Sequence, residues 1–308
     1  MKILFFGSSD YAYVCLNTLT SIYDVIGIIT QPDRPGKNHK VEPTYVKRKM
    51  AETDIPIFTP LDVNTEYDLI KSLSPDMIFT AAYGQILSKK ILNIPKYGSI
   101  NIHASYLPAY RGASPIRQTI IDGCKTTGIT SIYMDEKVDA GKIIIQEEIK
   151  IEEDETFGSL YEKFLNILPE FTVKTVESVI SGNKGIAQPK ESNYAHKNTS
   201  ADTYINWQDP CVNIDRQVRA FSPVPGVHCK IGTRDFKIYE VKPIDVYHNN
   251  EPGTVVRIEK DFLRIACGKG YIDVYKIQIP GKNILNTRDF INGNKLWLNE
   301  IKKSKKIY

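Results

Sequence analysis

Asn101 and His103 stand two residues apart at the end of the apolar stretch "SINIH", in a chain that holds five histidines. On an extended strand, residues i and i+2 share a face, so the carboxamide and the imidazole point the same way. Together they suit acyl transfer: the amide donates to a developing oxyanion, and the imidazole accepts or supplies a proton. An acid is then needed to orient the imidazole, and "MDEKVDAGK" (134–142) offers Asp135 and Asp139 just before another apolar stretch. Other chemistries fit less well. No G-x-S-x-G elbow supports Ser105 or Ser114 as a nucleophile. His39, His196, His228 and His248 form no ligand spacing with His103, so no metal is expected. "GSSD" (7–10) lacks the glycine pattern of a dinucleotide loop.

The elements that must position these residues alternate. "KILFF", "VIGIIT", "MIFTAA" and "SINIH" are short, apolar and β-prone, and amphipathic stretches such as "DYAYVCLNTL" and "EYDLIKSL" lie between them. That pattern predicts an α/β fold, a mostly parallel sheet with helices on both faces, whose ligands sit beyond the carboxyl ends of the strands. "SINIH" delivers His103 to such an end. "ETFGSLYEKFLNILPEFTVKTVESVI" (155–180) reads as helix across the sheet, with Pro169 starting or kinking a helix inside it. A polar, Gly-, Pro- and Asn-containing stretch follows and reads as a linker. Beyond it, "HCKIGTRDFKIYEVKPI", "GTVVRI", "FLRIACG" and "YIDVYKIQIPG" predict a smaller C-terminal antiparallel β-barrel, OB-like in character. The expected domains are 1–188, a linker at 189–204, and 205–308.

Composition narrows the partners. Residues 1–190 hold 21 Lys+Arg against 23 Asp+Glu, a net −2, whereas residues 191–308 hold 19 against 13, a net +6. A basic second domain beside a near-neutral first suits a polyanion, and ordinary surface solubility is the competing explanation. Five scattered cysteines with no C-x-x-C pair argue against a disulfide framework or a zinc site and are expected to be reduced. The apolar run at the N-terminus is too short for a signal core or membrane span, so a cytoplasmic protein without membrane attachment is expected. With no obvious exposed apolar stripe, a monomer is the default.

"NIHASYLPAYRGASPI" followed by "VDAG" resembles the core of the folate-dependent formyltransferases. The resemblance implies a Rossmann-like catalytic core and a catalytic trio of Asn101, His103 and Asp139. It implies contacts to the formyl donor, 10-formyltetrahydrofolate, by Ser105, Tyr106, Leu107 and Pro108 and by Tyr83 and Gly84. Within the family, "TQPDRPGKNHK" (30–40) and "YINWQDPCVNIDRQVRAFSPVPG" (204–226) resemble the members that formylate methionyl-initiator tRNA. A tRNA-binding loop with Arg34, Lys37, His39 and Lys40 and a tRNA-binding C-terminal domain follow from that resemblance. Lys37 stands where an Arg is common, and Lys137 and Lys142 flank the acid where the family has other residues. The rival member is a sugar N-formyltransferase acting on a nucleotide-linked amino sugar with the same trio. Arg111 is left with two roles, binding substrate or anchoring its loop to the following helix.

Overall fold

The computed structural model describes residues 1–35, 41–232 and 234–298. Two compact units emerge: Met1–Pro115 with Thr126–Lys150 and Glu162–His196, and the chain from Lys197 on with Ile116–Lys125 and Ile151–Tyr161. The second unit thus includes two segments that lie within the 1–188 stretch.

The first unit is built on seven strands: β1 (Lys2–Gly7), β2 (Asp24–Ile29), β3 (Ile57–Phe58), β4 (Met77–Ala81), β5 (Ser99–His103), β6 (Thr126–Tyr133) and β7 (Ile143–Lys150). Their order in the sheet is β3-β2-β1-β4-β5-β6-β7. The first five are parallel, and β6 and β7 add antiparallel. Chain direction across the sheet reverses between β1 and β4, the switch point where open sheets of this kind take ligands. Backbones approach closely there: a Cβ on Gly7 would lie 2.8 Å from the Ala81 carbonyl oxygen. β1 and β4 are near-continuous apolar runs because both faces are covered, and β5 alternates Ile100 and Ile102 with polar residues. Helices α1 (Asp10–Thr20), α2 (Tyr67–Leu73), α3 (Pro115–Ile121) and α4 (Phe157–Ile180) follow strands along the chain. Ser9 caps α1 through Oγ, which accepts from the Ala12 N–H.

Pro169 neither starts nor ends a helix: α4 runs for 24 residues with the proline inside it. An interior proline costs about 3 kcal/mol. Leu160, Phe164, Leu168, Phe171, Val176 and Val179 are all buried along the same helix. At roughly 1.5–3 kcal/mol for each large apolar side chain, that burial outweighs the lost bond.

The second unit carries helix α5 (Cys211–Ala220) and an antiparallel sheet of β8 (Val227–Ile231), β9 (Arg234–Ile244), β10 (Val255–Ile258), β11 (Leu263–Ala266), β12 (Tyr271–Gln278) and β13 (Leu285–Asn286), followed by α6 (Thr287–Gly293). The strand order is β8-β9-β12-β11-β10, with β13 on β12, so among the described residues the OB-like sheet is open rather than a closed ring. Phe236, Phe290 and Trp297 form its aromatic centre, with centroids 5.2–5.7 Å apart. Arg264 and Asp273, directly opposite across β11 and β12, make a two-pronged ion pair. Arg117 joins its α3 segment to this unit by donating to the Ala220 and Val224 carbonyls and covering the Phe157 ring at 3.7 Å.

No described helix is long and apolar enough to cross a membrane. All five cysteines are free thiols, four of them buried. Burial pushes the Cys15 and Cys267 thiols up to about 12, so they remain protonated and unreactive.

Candidate active site

Asn101 and His103 do share a face at the end of β5, and Asp139 reaches both. Asp139 Oδ2 lies 3.4 Å from His103 Nδ1. Asn101 Nδ2 donates toward Asp139 Oδ1 at 3.5 Å, the outer limit of a hydrogen bond. The imidazole is 7% exposed and the carboxylate 12%. On its other side His103 Nε2 lies 2.8 Å from the Tyr110 carbonyl oxygen. A carbonyl only accepts, so this contact assigns the Nε2 position as N–H and turns Nδ1 toward the acid. The Asn101 amide carries two hydrogens, and Asp139 engages at most one, which leaves a donor for an oxyanion.

Two left-handed residues shape this arrangement: Tyr110 at φ 59° and Asp139 at φ 51°. Such conformations cost on the order of 1 kcal/mol or more for a residue with a Cβ and persist only where the surroundings over-determine them. Here they do. The Gly112 N–H donates to Asp139 Oδ2 at 2.9 Å, the shortest contact of the carboxylate. Gly112 itself sits at φ 108°, and a Cβ on it would lie 2.6 Å from the Ala195 carbonyl oxygen, so only glycine fits. Arg111 and Gly112 pair with Tyr194 and Ala195 in a short parallel ladder. Asn193 Oδ1 accepts from the Tyr110 N–H at 2.7 Å.

The structure decides between the two roles of Arg111. It is 5% exposed, and its guanidinium donates to Gln188 Oε1, Ser192 Oγ and the Pro189 carbonyl. It is an anchor, but to the 188–192 segment rather than to the following helix, because that segment supplies the acceptors. Ser105 Oγ donates to the Ala109 carbonyl at 2.6 Å, a turn-closing bond rather than a nucleophile's contact with a base.

The remaining candidates divide into buried and accessible. Ser105 and Leu107 are buried, held by Thr130, whose Oγ1 donates to the Ser105 carbonyl and accepts from the Leu107 N–H. Gln146 Nε2 donates to the Leu107 carbonyl. Tyr106 is 44% exposed and packs over Gly128, where a Cβ would lie 2.7 Å from its ring. Pro108 closes the segment and is half-buried. Tyr83 and Gly84 follow β4, next to the switch point. The Tyr83 ring is buried edge-on against Phe6, its hydroxyl has no hydrogen-bond partner among the described residues, and burial raises its pKa well above the ordinary value. Gly84 is exposed, at φ 89°.

Gln31 ties this segment to the basic loop. Its Nε2 donates to the Tyr83 carbonyl at 3.0 Å, and its Oε1 accepts from Arg34 Nη2 at 2.8 Å. Lys37, His39 and Lys40 lie outside the described residues, as do the C-terminal lysines beyond residue 298. Lys137 and Lys142 are both exposed.

Sequence reading overlooked the backbone partners, the Tyr110 carbonyl and the Gly112 N–H, and the residues that hold them, Gln188 and Asn193. The Arg111-Gly112 pair was the available signal, since a buried arginine must find several acceptors.

Comparison with known proteins follows the same division. Residues 1–176 match the formyl transferase family and residues 197–295 match the formyl transferase C-terminal domain. A methionyl-tRNA formyltransferase from Marinobacter nauticus is 37% identical over 301 residues, covering 96% of this chain and 97% of that protein. One from Staphylococcus aureus strain MW2 is 36% identical, covering 95% and 96%. Among solved structures, WlaRD, a sugar 3N-formyl transferase in the presence of dTDP and 5-N-formyl-THF, superposes with a TM-score of 0.67 at 20% identity, covering 92% of this chain and 99% of that one. HypX from Aquifex aeolicus in complex with tetrahydrofolic acid gives 0.64 at 16% identity, covering 94% and 47%. These two likenesses concern the fold. On the family match and the full-length relatives, the chain belongs to the formyl transferase family.

Proposed function

We propose that the protein transfers a formyl group from 10-formyltetrahydrofolate to the α-amino group of methionyl-initiator tRNA. The observation that carries this reading is the match to relatives of that name at 36–37% identity along nearly the whole of both chains, C-terminal domain included. Residues 1–188 then supply the chemistry, 189–204 connect, and the basic 205–308 region binds tRNA. In this reading the protein works in the cytoplasm as a monomer, with folate as a co-substrate.

The reaction makes a C–N bond and breaks one. The amine attacks the formyl carbon, negative charge develops on the formyl oxygen, and a proton passes from the incoming nitrogen to the departing N10. Asn101 donates to the oxyanion, an effect that reaches about 10²–10³ in rate where measured in other enzymes. His103 carries or stabilises the travelling proton, worth typically about 10²–10⁴. Asp139 holds the imidazole in one orientation. Gly84 beside the switch point and Tyr106 over Gly128 of β6 offer accessible surface for the folate, and Ser105, Leu107, Pro108 and Tyr83 shape the segments that carry them. Arg34, with Lys37, His39 and Lys40, contributes positive charge for the tRNA backbone.

The test is formylation by the wild-type protein with 10-formyltetrahydrofolate and, in parallel, methionyl-initiator tRNA, methionyl-elongator tRNA and a dTDP-linked amino sugar. Preference for the initiator is expected. Turnover of the amino sugar in its place would overturn the substrate assignment.

A further inference from the structure

Gln188 touches none of the trio's side chains, yet it grips the turn that carries the acid. Its Nε2 donates to the Asp139 carbonyl at 2.9 Å and to the Gly141 carbonyl at 2.7 Å. Its Oε1 accepts from Nε and Nη2 of Arg111 at 3.1 and 2.7 Å. A guanidinium only donates, so Arg111 fixes which end of the carboxamide faces it and turns both amide hydrogens onto the two carbonyls. Arg111 is held in turn by Ser192 and the Pro189 carbonyl. All four hydrogen-bonding directions of this amide are thereby oriented by residues distant in sequence.

The acid needs such a hold. Its contacts to His103 and Asn101, at 3.4 and 3.5 Å, are both at the outer edge of useful distance, and among the described residues only the Gly112 N–H bonds it tightly. A slip of a few tenths of an ångström would break either contact. Asp139 also occupies a left-handed conformation that it would relax if the turn were released.

We infer that Gln188 is a positioning residue for formyl transfer: oriented by Arg111, its carboxamide holds the Asp139–Gly141 turn so that the carboxylate meets His103 and Asn101. The inference rests on the reading of Asn101, His103 and Asp139 as the catalytic centre. The 188–195 segment is then more than a connection, because it braces the acid through Gln188 and the Tyr110–Gly112 loop through Asn193 and Ala195.

Gln188→Glu tests it with little change in shape. The acceptor facing Arg111 is kept, but an oxygen replaces the nitrogen that faces two carbonyls. With full-length protein, kcat is expected to fall about 10–100-fold while KM for both substrates stays within about twofold. In an Asp139→Asn background the same substitution is expected to change kcat less than about twofold, since it acts through Asp139. Gln188→Met, which removes the donors and the acceptor facing Arg111 without adding charge, should move kcat in the same direction, and thermal melting of both variants separates this from a folding defect. The ¹⁵N shifts of the His103 ring should move in Gln188→Glu as they do in Asp139→Asn. Unchanged kcat in both Gln188 variants, or an equal fold-loss with and without Asp139, would overturn the inference. Turnover is read on whichever amine the wild-type protein formylates, so a wrong substrate assignment shows in the wild type and leaves the Gln188 comparison readable.

Discussion

The two flanks of the site are held in different ways. On the acid flank, Tyr110, Arg111, Gly112, Asp139, Gln188 and Asn193 bond to one another, and the backbone takes three positive φ values to do so. On the switch-point flank, among the described residues, Tyr83 is held to Gln31 through its backbone carbonyl, its hydroxyl has no hydrogen-bond partner, and Arg34 is exposed. The contrast teaches a division of labour. Groups that move protons and charge need fixed geometry, whereas a surface that receives a large ligand needs accessible donors and backbone.

The largest effect expected from this contrast is on the acid flank. Gly112→Ala forces a Cβ to 2.6 Å from the Ala195 carbonyl at a φ that disfavours alanine, and it moves the N–H that holds Asp139. Stability should fall by about 1–3 kcal/mol in denaturant titration, and kcat by more than about tenfold. A variant that melts earlier but keeps full kcat in the folded state would break the claim that this flank sets geometry.

On the other flank, Arg34→Ala removes a charge that only Gln31 engages in the described structure. Binding of charged tRNA should weaken a few-fold, with a salt slope shallower by about one and kcat nearly unchanged. A fall in kcat with unchanged tRNA affinity would erase the distinction between flanks.

The smallest effect belongs to Tyr83→Phe, which deletes the unpartnered hydroxyl. Stability near neutral pH should change by less than about 1 kcal/mol. Burial raises the phenol's pKa above its ordinary 10.0. The unfolded chain therefore ionises first, and the stability tied to the neutral phenol is complete below pH 10 and lost as pH rises beyond it. Denaturant midpoints followed above pH 10 should fall less steeply in Tyr83→Phe. An identical slope in the two proteins would place the hydroxyl in contact with water.

Legibility in the sequence follows the same boundary. Asn101 and His103 were readable because a two-residue spacing on an apolar strand puts both on one face. The alternation of β- and helix-like segments announced the parallel sheet, since strands buried on both faces must be apolar throughout. Asp139 was one of two candidates on composition and was singled out by resemblance. Arg111 could not be assigned, because its partner Gln188 lies 77 residues away in a segment whose polarity reads as linker. That polarity is the brace: Gln188, Ser192 and Asn193 are the acceptors and donors that a buried arginine and a strained loop require. Of the two readings of Pro169, starting a helix is excluded because α4 continues through it; burial along the rest of the helix is a tertiary quantity that a local rule omits.

The central claim, that Asn101, His103 and Asp139 carry formyl transfer to a charged initiator tRNA, is tested most directly by single-turnover kinetics. Enzyme in excess over methionyl-initiator tRNA, with saturating 10-formyltetrahydrofolate, reports the chemical step in the wild type and in Asn101→Ala, His103→Ala and Asp139→Ala. The account predicts a loss of about 10²-fold or more in each variant, with less than additive loss in combination. Folded variants that formylate within tenfold of the wild-type rate would contradict it.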